Sequence, residues 1–508
     1  MTRWPRRVWS MATATTLIAL PLNLTAAQAI PVPNVDPGQV PPDIRPAPDQ
    51  PMRQSNECAR PIAIADPNVT ATAPGFTMLN VSKAWQYSTG HGVPVAVIDT
   101  GINPTGRLPV VAGGDYIMGG DGLLDCDAHG TIVASVIRAA PQGIPMPAPM
   151  PPTPAYPAPA GSAPVDSAPP APAEQPEPSE PENPVAPAPP QDAPDGVAGV
   201  APHAVLISIR QSSRAYEPVN PQPGDAETRR KAGTLATLAK ALVHAADMGA
   251  KVINISVTSC VSAADPLDQS AVGAAVWYAA TVKDAVIVAA AGNDGEESCV
   301  QNPVFDPLEP SDPRDWHQVK TVSSPSWFAD YVLSVGAVDN TGMPISKSLA
   351  GPWVAAAAPG VGIMGLSPQT AGAVNAYPPH RPGEHPMPFW GTSFSAAYVS
   401  GVAALVRAKY PQLSAHQVIN RIVLTAHNPP RGVDNQVGYG VVDPVAALTF
   451  DVPPGDRVAP GAQRRVIVPP APPPAPDRRA TTMAVVFAGA VLAAAVLTSI
   501  IRRARRAR

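Results

Sequence analysis

The chain has 508 residues, is 45% hydrophobic and carries a formal net charge of −4. That near-neutral balance leaves no basic footprint for nucleic acid, and no nucleic-acid partner is expected. Proline is 69 of the 508 residues, well above the usual ~5%, and it clusters, so the composition describes tails and an insert around an ordinary globular core.

Arg3, Arg6 and Arg7 followed by the apolar run Val8 to Leu24 and Ala27-Gln28-Ala29 read as a signal peptide over residues 1–29, cleaved after Ala29. Residues 30–73 form a proline-rich extension without helical or strand periodicity. The core is expected over 74–450. Val93 to Ile98 reads as a buried parallel strand that delivers Asp99 at its C-terminal end, where open α/β sheets collect their functional groups. His129 then opens an apolar stretch, Ile132 to Ala140, that reads as a buried helix. Residues 141–195 are dominated by Pro, with Ala, Ser, Glu and Gln, and have no Lys or Arg from 141 to 194. This stretch cannot build a core and is read as an acidic loop inserted within one domain. Because it leaves the helix that begins at His129, its root is expected near the catalytic face.

Strand and helix patterns alternate after the insert: Val205 to Ile209, Leu235 to Met248, Val252 to Val257, Ala271 to Thr281, and Ala285 to Ala291 running into Gly292-Asn293-Asp294. Such alternation predicts an α/β fold, a parallel sheet with helices on both faces. Gly391-Thr392-Ser393 precedes the small and apolar run Ser395 to Val406, so Ser393 is placed at the N-terminus of a buried helix, where backbone N–H groups point outward.

In an exported chain the four cysteines are expected to form two disulfides. The strands ending near Val257 and Ala291 are joined by one helix and should be neighbours. That pairs Cys260 with Cys299 and, by elimination, Cys58 with Cys126. No two cysteines are spaced as a chelating pair, no compact Asp-rich loop is present, and no metal or cofactor is expected. Residues 451–480 read as a proline-rich linker. Thr481 to Ile501 is an apolar run long enough to span the ~30 Å hydrocarbon core, and the basic tail 502–508 places the C-terminus in the cytoplasm and the core outside.

Asp99, His129 and Ser393 stand in the order Asp, His, Ser. Their contexts Val-Ile-Asp-Thr-Gly-Ile, His-Gly-Thr-Ile-Val-Ala and Gly-Thr-Ser-Phe-Ser-Ala resemble the signatures of the subtilases, as does Ala-Ala-Gly-Asn at 290–293. The resemblance implies a subtilisin-like fold and a serine endopeptidase with Ser393 as nucleophile, His129 as base and Asp99 as its orienting carboxylate. Asn293 would supply an oxyanion donor together with the backbone N–H of Ser393. A substrate strand would lie between Ser256-Val257-Thr258 and Ala290-Ala291-Gly292. The chain departs from the usual pattern at Phe394, Ser395, Ala397 and Tyr398, and at Ser135 and Thr258, which argues against a broad digestive specificity.

The whole layout, with Gly-Thr-Ser-Phe-Ser-Ala-Ala-Tyr-Val-Ser-Gly at the serine, resembles the mycosins, membrane-anchored proteases of type VII secretion systems. That implies secreted protein substrates, association with the type VII secretion membrane complex and a single-pass cell-membrane location with the catalytic domain on the periplasmic side. The alternative is a mainly structural component of that complex with proteolysis secondary. Since only 44 residues separate the signal from the core, the extension is expected to be a wrapping arm and not a removable inhibitory domain.

Overall fold

The computed structural model describes residues 30, 33–150, 193–220, 232–265, 268–296, 298–304, 314, 316–379, 381, 383–430, 432–462 and 479–506. The expected signal peptide, the insert apart from its two roots, and most of the linker before the last helix lie outside the described residues. The chain divides into two compact units, Met1–Ala462 and Gln463–Arg508.

The first unit is built on a seven-stranded sheet in which every pairing is parallel. In chain order the strands are β1 (Pro94–Asp99), β2 (Val110–Asp115), β3 (Val205–Arg210), β4 (Val252–Ile255), β5 (Val286–Ala290), β6 (Val332–Val338) and β7 (Val354–Pro359), and in space they run β7-β6-β5-β4-β1-β3-β2. The chain fills one side of β1 with β2 and β3 and then crosses to β4 on the other. Functional groups in open parallel sheets gather at such a switch, outside the carboxyl ends of the strands.

Both faces are covered, as the continuous apolar strands require. Val95 and Val97 point into a core shared with α1 (His129–Arg138) and α4 (Thr392–Lys409). Ala96 and Ile98 point into a second core with α2 (Leu235–Asp247) and α3 (Ser270–Trp277). Every residue of α4 from Thr392 to Ala408 is buried, which is why its sequence is small and apolar all round. α5 (Ala415–Leu424), capped by Ser414, closes this side.

The extension is bound to the core throughout. Met52–Gln54 pairs antiparallel with Tyr216–Pro218. Asp43 meets His244 at 2.8 Å and Asp49 meets Lys240 at 2.6 Å on α2. Ile64 is buried, with its N–H donating to Asn375 Oδ1 and its carbonyl accepting from Asn375 Nδ2.

The insert is rooted away from the catalytic face, against expectation. α1 starts at the C-terminal edge of the sheet and runs back for ten residues, about 15 Å at ~1.5 Å per residue. The insert therefore leaves at the opposite edge, where Arg107 pairs with Asp195 at 2.6 Å, Gln142 donates to the Ala193 carbonyl and Met150 N–H donates to Thr89, five residues before β1. The ten residues of α1 are enough to carry the chain from one edge of the sheet to the other.

In the second unit, helix α6 spans Arg479–Arg506, longer at both ends than the apolar run. Its segment Val486–Arg506 is long and apolar enough to cross a membrane, with exposed side chains such as Phe487, Leu492 and Ile500.

Candidate active site

Strand ends and helix starts converge at the C-terminal edge of the sheet. β1 ends at Asp99, β4 leads into Ser256, and β5 leads through Ala291 and Gly292 to Asn293. α1 begins at His129 and α4 at Thr392, one residue before Ser393.

Asp99 is fully buried and its Oδ1 lies 2.7 Å from His129 Nδ1, while also accepting the Thr100 N–H at 2.7 Å. The carboxylate can only accept, so Nδ1 carries the proton and Nε2 is left basic. Burial pushes the His129 pKa down, but the charge of Asp99 and its hydrogen bond push it up by more, and the net shift is upward. The ring side chain is 24% exposed, so it faces the cleft while its Nδ1 faces the interior.

His129 is held from below by Asp125, which sequence reasoning passed over. Asp125 Oδ2 accepts from the N–H and hydroxyl of Thr131, and its Oδ1 accepts from the Thr100 hydroxyl and the Asp127 N–H. The Thr100 hydroxyl in turn accepts the Gly130 N–H. Asp125 therefore ties the end of β1 to the first turn of α1 on either side of the Asp99–His129 pair. Burial raises its pKa to about 6 against the opposing Thr131 bonds. The signal available in the sequence was its spacing, four residues before the histidine.

Ser393 sits in the first turn of α4 and its hydroxyl donates to the Ser256 carbonyl at 3.0 Å. A polar ladder clamps α4 against β4. Ser400 donates to Asn254 Oδ1 at 2.8 Å, Asn254 Nδ2 to Ser256 Oγ at 2.7 Å, and Ser256 Oγ to the Ser393 carbonyl at 3.4 Å. Ser393 and Ser400 are seven residues apart and share a helix face, and Asn254 interrupts an otherwise apolar strand. The departures from the usual motif fit this packing. The buried Phe394 ring stands 5.3 Å from His129 and 6.2 Å from Phe389. Tyr398 is buried against Gly75, and the Ser135 hydroxyl accepts the Leu366 N–H.

Asn293 is oriented by Thr392. Its Oδ1 accepts from the Thr392 N–H at 3.0 Å and the Thr392 hydroxyl at 3.1 Å, so Nδ2 is turned to the cleft. The Thr392 hydroxyl also accepts the Gly292 N–H at 3.1 Å. Gly391 has φ 135°, and a Cβ there would stand 3.2 Å from Asn293 Nδ2.

The two segments flanking this centre differ. Val257 and Thr258 are half-exposed beside the cleft. Along Ala290, Ala291 and Gly292 the backbone is largely consumed internally. The Ala290 carbonyl accepts from Ser326, Ala291 N–H donates to Val335, and the Gly292 carbonyl accepts from Leu349. This segment is a wall of the cleft and offers little hydrogen-bonding edge.

Disulfides join Cys58 to Cys126 and Cys260 to Cys299. The first, 68 residues apart, fixes the extension three residues before His129, and closing a loop of that size is worth about 4 kcal/mol in the chain-entropy account. Among the described residues no group of three His, Cys, Asp or Glu could hold a metal.

Comparison with known proteins matches this arrangement. The profile of the subtilase family covers residues 90–440. Mycosin-2 of Mycobacterium tuberculosis is 65% identical over 499 residues, 91% of each chain, and Mycosin-5 of the same organism is 45% identical over 86% of each. The crystal structure of MycP1 from Mycobacterium smegmatis superposes with a TM-score of 0.71 at 42% identity, over 85% of this chain and 98% of that one. A chain of the intact ESX-5 inner membrane complex gives 0.70 at 48% identity, over 92% and 99%. With the family profile over residues 90–440 and relatives matched along most of both chains, the chain belongs to the subtilase family of serine proteases, among the mycosins.

Proposed function

We propose that Asp99, His129 and Ser393 are the catalytic triad of a membrane-anchored endopeptidase that processes secreted proteins. The observation that carries this reading is the joining of the buried Asp99 carboxylate to His129 Nδ1 at 2.7 Å, at the sheet edge where α4 presents Ser393. In the reaction the Ser393 hydroxyl turns from the Ser256 carbonyl to His129 Nε2, which takes its proton as Oγ attacks the scissile carbonyl. The oxyanion is met by Asn293 Nδ2 and the Ser393 N–H, each such donor being worth about 3–4 kcal/mol of barrier. His129 then gives the proton to the leaving amine, and water repeats the sequence to release the acyl group. Asp99 holds the tautomer and balances the imidazolium. Val257 and Thr258 would pair with the substrate backbone, Ser256 would hold the resting hydroxyl, and Ala290, Ala291 and Gly292 would wall the cleft.

The likeness to chains within an ESX-5 inner membrane complex supports assembly of this protein with a type VII secretion membrane complex. Export through residues 1–29, anchoring through α6 and a cytoplasmic arginine-rich end would place the catalytic unit on the periplasmic side. Labelling the full-length protein with a fluorophosphonate and mapping the adduct tests the chemistry. Modification of Ser393, lost in Ser393→Ala and His129→Ala, is expected; modification elsewhere or none at all would reject it.

A further inference from the structure

One ion pair crosses the catalytic cleft. Arg214 leaves the loop after β3 and is anchored on the histidine side: its N–H donates to Asp127 Oδ1 at 2.7 Å, two residues before His129, and the Ser213 hydroxyl donates to Asp127 Oδ2. Glu296 stands on the opposite side, in the turn after Asn293, with its N–H donating to the Asn293 carbonyl. Between them, Arg214 Nη2 approaches Glu296 Oε2 at 3.3 Å, and that same oxygen accepts from Asn293 Nδ2 at 3.4 Å. Arg214 is also near enough for its charge to lower the proton affinity of His129.

The position has a chemical consequence. Asn293 Nδ2 is the side-chain donor that the reaction needs for its oxyanion, and in the free protein it faces a carboxylate. Negative charge there opposes the negative charge that develops in the transition state. The amide has a second N–H to give the oxyanion, but as long as the Glu296 carboxylate stays beside it the donor is weakened, and Arg214 holds that carboxylate in place.

We propose that Arg214 and Glu296 are specificity-determining residues that form a charged clasp across the cleft, which each substrate strand must part, so that short uncharged peptides are turned over poorly. The proposal rests on Asn293 being the oxyanion donor. Their side chains are 73% and 37% exposed, so the pair is screened and its grip is modest. Exposed pairs hold with up to about 1 kcal/mol, which corresponds to about fivefold in rate.

The test measures kcat/KM of the full-length protein in detergent on a short neutral fluorogenic peptide, on the alkaline plateau where His129 is neutral in every variant. Glu296→Gln and Arg214→Gln are each expected to raise kcat/KM, by up to about fivefold, with unchanged melting temperature. The double variant should gain no more than Glu296→Gln alone, because the two residues act as one device. Raising ionic strength from about 0.05 to about 0.5 M should activate the wild type and leave the double variant unmoved. Unchanged or lowered kcat/KM in both single variants, or gains that multiply in the double variant, would overturn the clasp. Asn293→Ala separates the two readings: its activity should fall about 100-fold or more if Asn293 is the donor, whatever the clasp does, and full activity in that variant would reject the donor and with it the basis of the clasp.

Discussion

Replacing Thr392 by Val isolates the device that aims Asn293, the proposed oxyanion donor. Valine keeps the shape of a fully buried residue and removes one hydroxyl, which accepts the Gly292 N–H at 3.1 Å and donates to Asn293 Oδ1 at 3.1 Å. The Gly292 N–H is left buried without a partner, a loss of about 1–3 kcal/mol in folding stability. Asn293 Oδ1 keeps the Thr392 N–H at 3.0 Å, so the amide is loosened and not released. The full loss of a donor is worth about 3–4 kcal/mol, and a partial loss should lower kcat by about tenfold, equivalent to 1.4 kcal/mol, with KM little changed. Thr392→Ser keeps the hydroxyl and should stay close to wild type. Urea unfolding and steady-state peptide hydrolysis on the same preparations give both numbers. A Val variant that loses stability but retains wild-type kcat would show that Thr392 only packs, and a Ser variant as impaired as Val would show that the hydroxyl is irrelevant.

If His129 is the proposed base it must be neutral to act, so its upward net shift, caused by Asp99, puts the acid limb of kcat/KM above pH 6.5. Asp99→Asn should move that limb down and reduce kcat by about 10⁴. A raised histidine pKa stabilises the fold below its unfolded value and that stability is lost as pH rises through the folded value, so this substitution should cost more stability at pH 5 than at pH 8, as read by chemical unfolding. Asn375→Ala removes bonds to Ile64 and Pro67, leaves the Ile64 N–H buried, and should lower stability by about 1–3 kcal/mol while exposing residues 59–73 to limited proteolysis. At Gly196 a Cβ would lie 1.5 Å from the Ala71 carbonyl oxygen. Gly196→Ala should therefore lose more than ~4 kcal/mol or fail to fold, measured by soluble yield and thermal melting.

The parts legible in the sequence were those with strong local signals. Continuous apolar strands, Val-Ala-Val-Ile at β1 ending in Asp99 and Val-Ile-Val-Ala-Ala at β5 leading to Asn293 three residues on, located both residues. Three strands of the seven-stranded sheet were missed for physical reasons. Val110–Asp115 is broken by two glycines, Val332–Val338 carries a serine and a glycine, and Val354–Pro359 is an alanine run, a residue poor in strand propensity. Propensity yields to tertiary pairing in all three. The supporting polar groups Asn254, Thr392 and Ser400 were invisible because each acts through a partner far away in the chain, whereas Asp125 bonds locally to Thr131 and left only its spacing to His129 as a signal. Arg214 and Glu296, 82 residues apart, meet only because the loops after β3 and β5 face each other across the cleft.

The triad and its oxyanion donors are tested most directly by the crystal structure of the full-length protein or its complex with a peptide boronic acid, which mimics the tetrahedral intermediate. The account predicts boron bonded to Ser393 Oγ, one boron oxygen within hydrogen-bond range of both Asn293 Nδ2 and the Ser393 N–H, His129 Nε2 facing the adduct, and Glu296 withdrawn from Asn293. Boron bonded to another residue, or a boronate oxygen pointing away from Asn293 with Glu296 still in place, would contradict it.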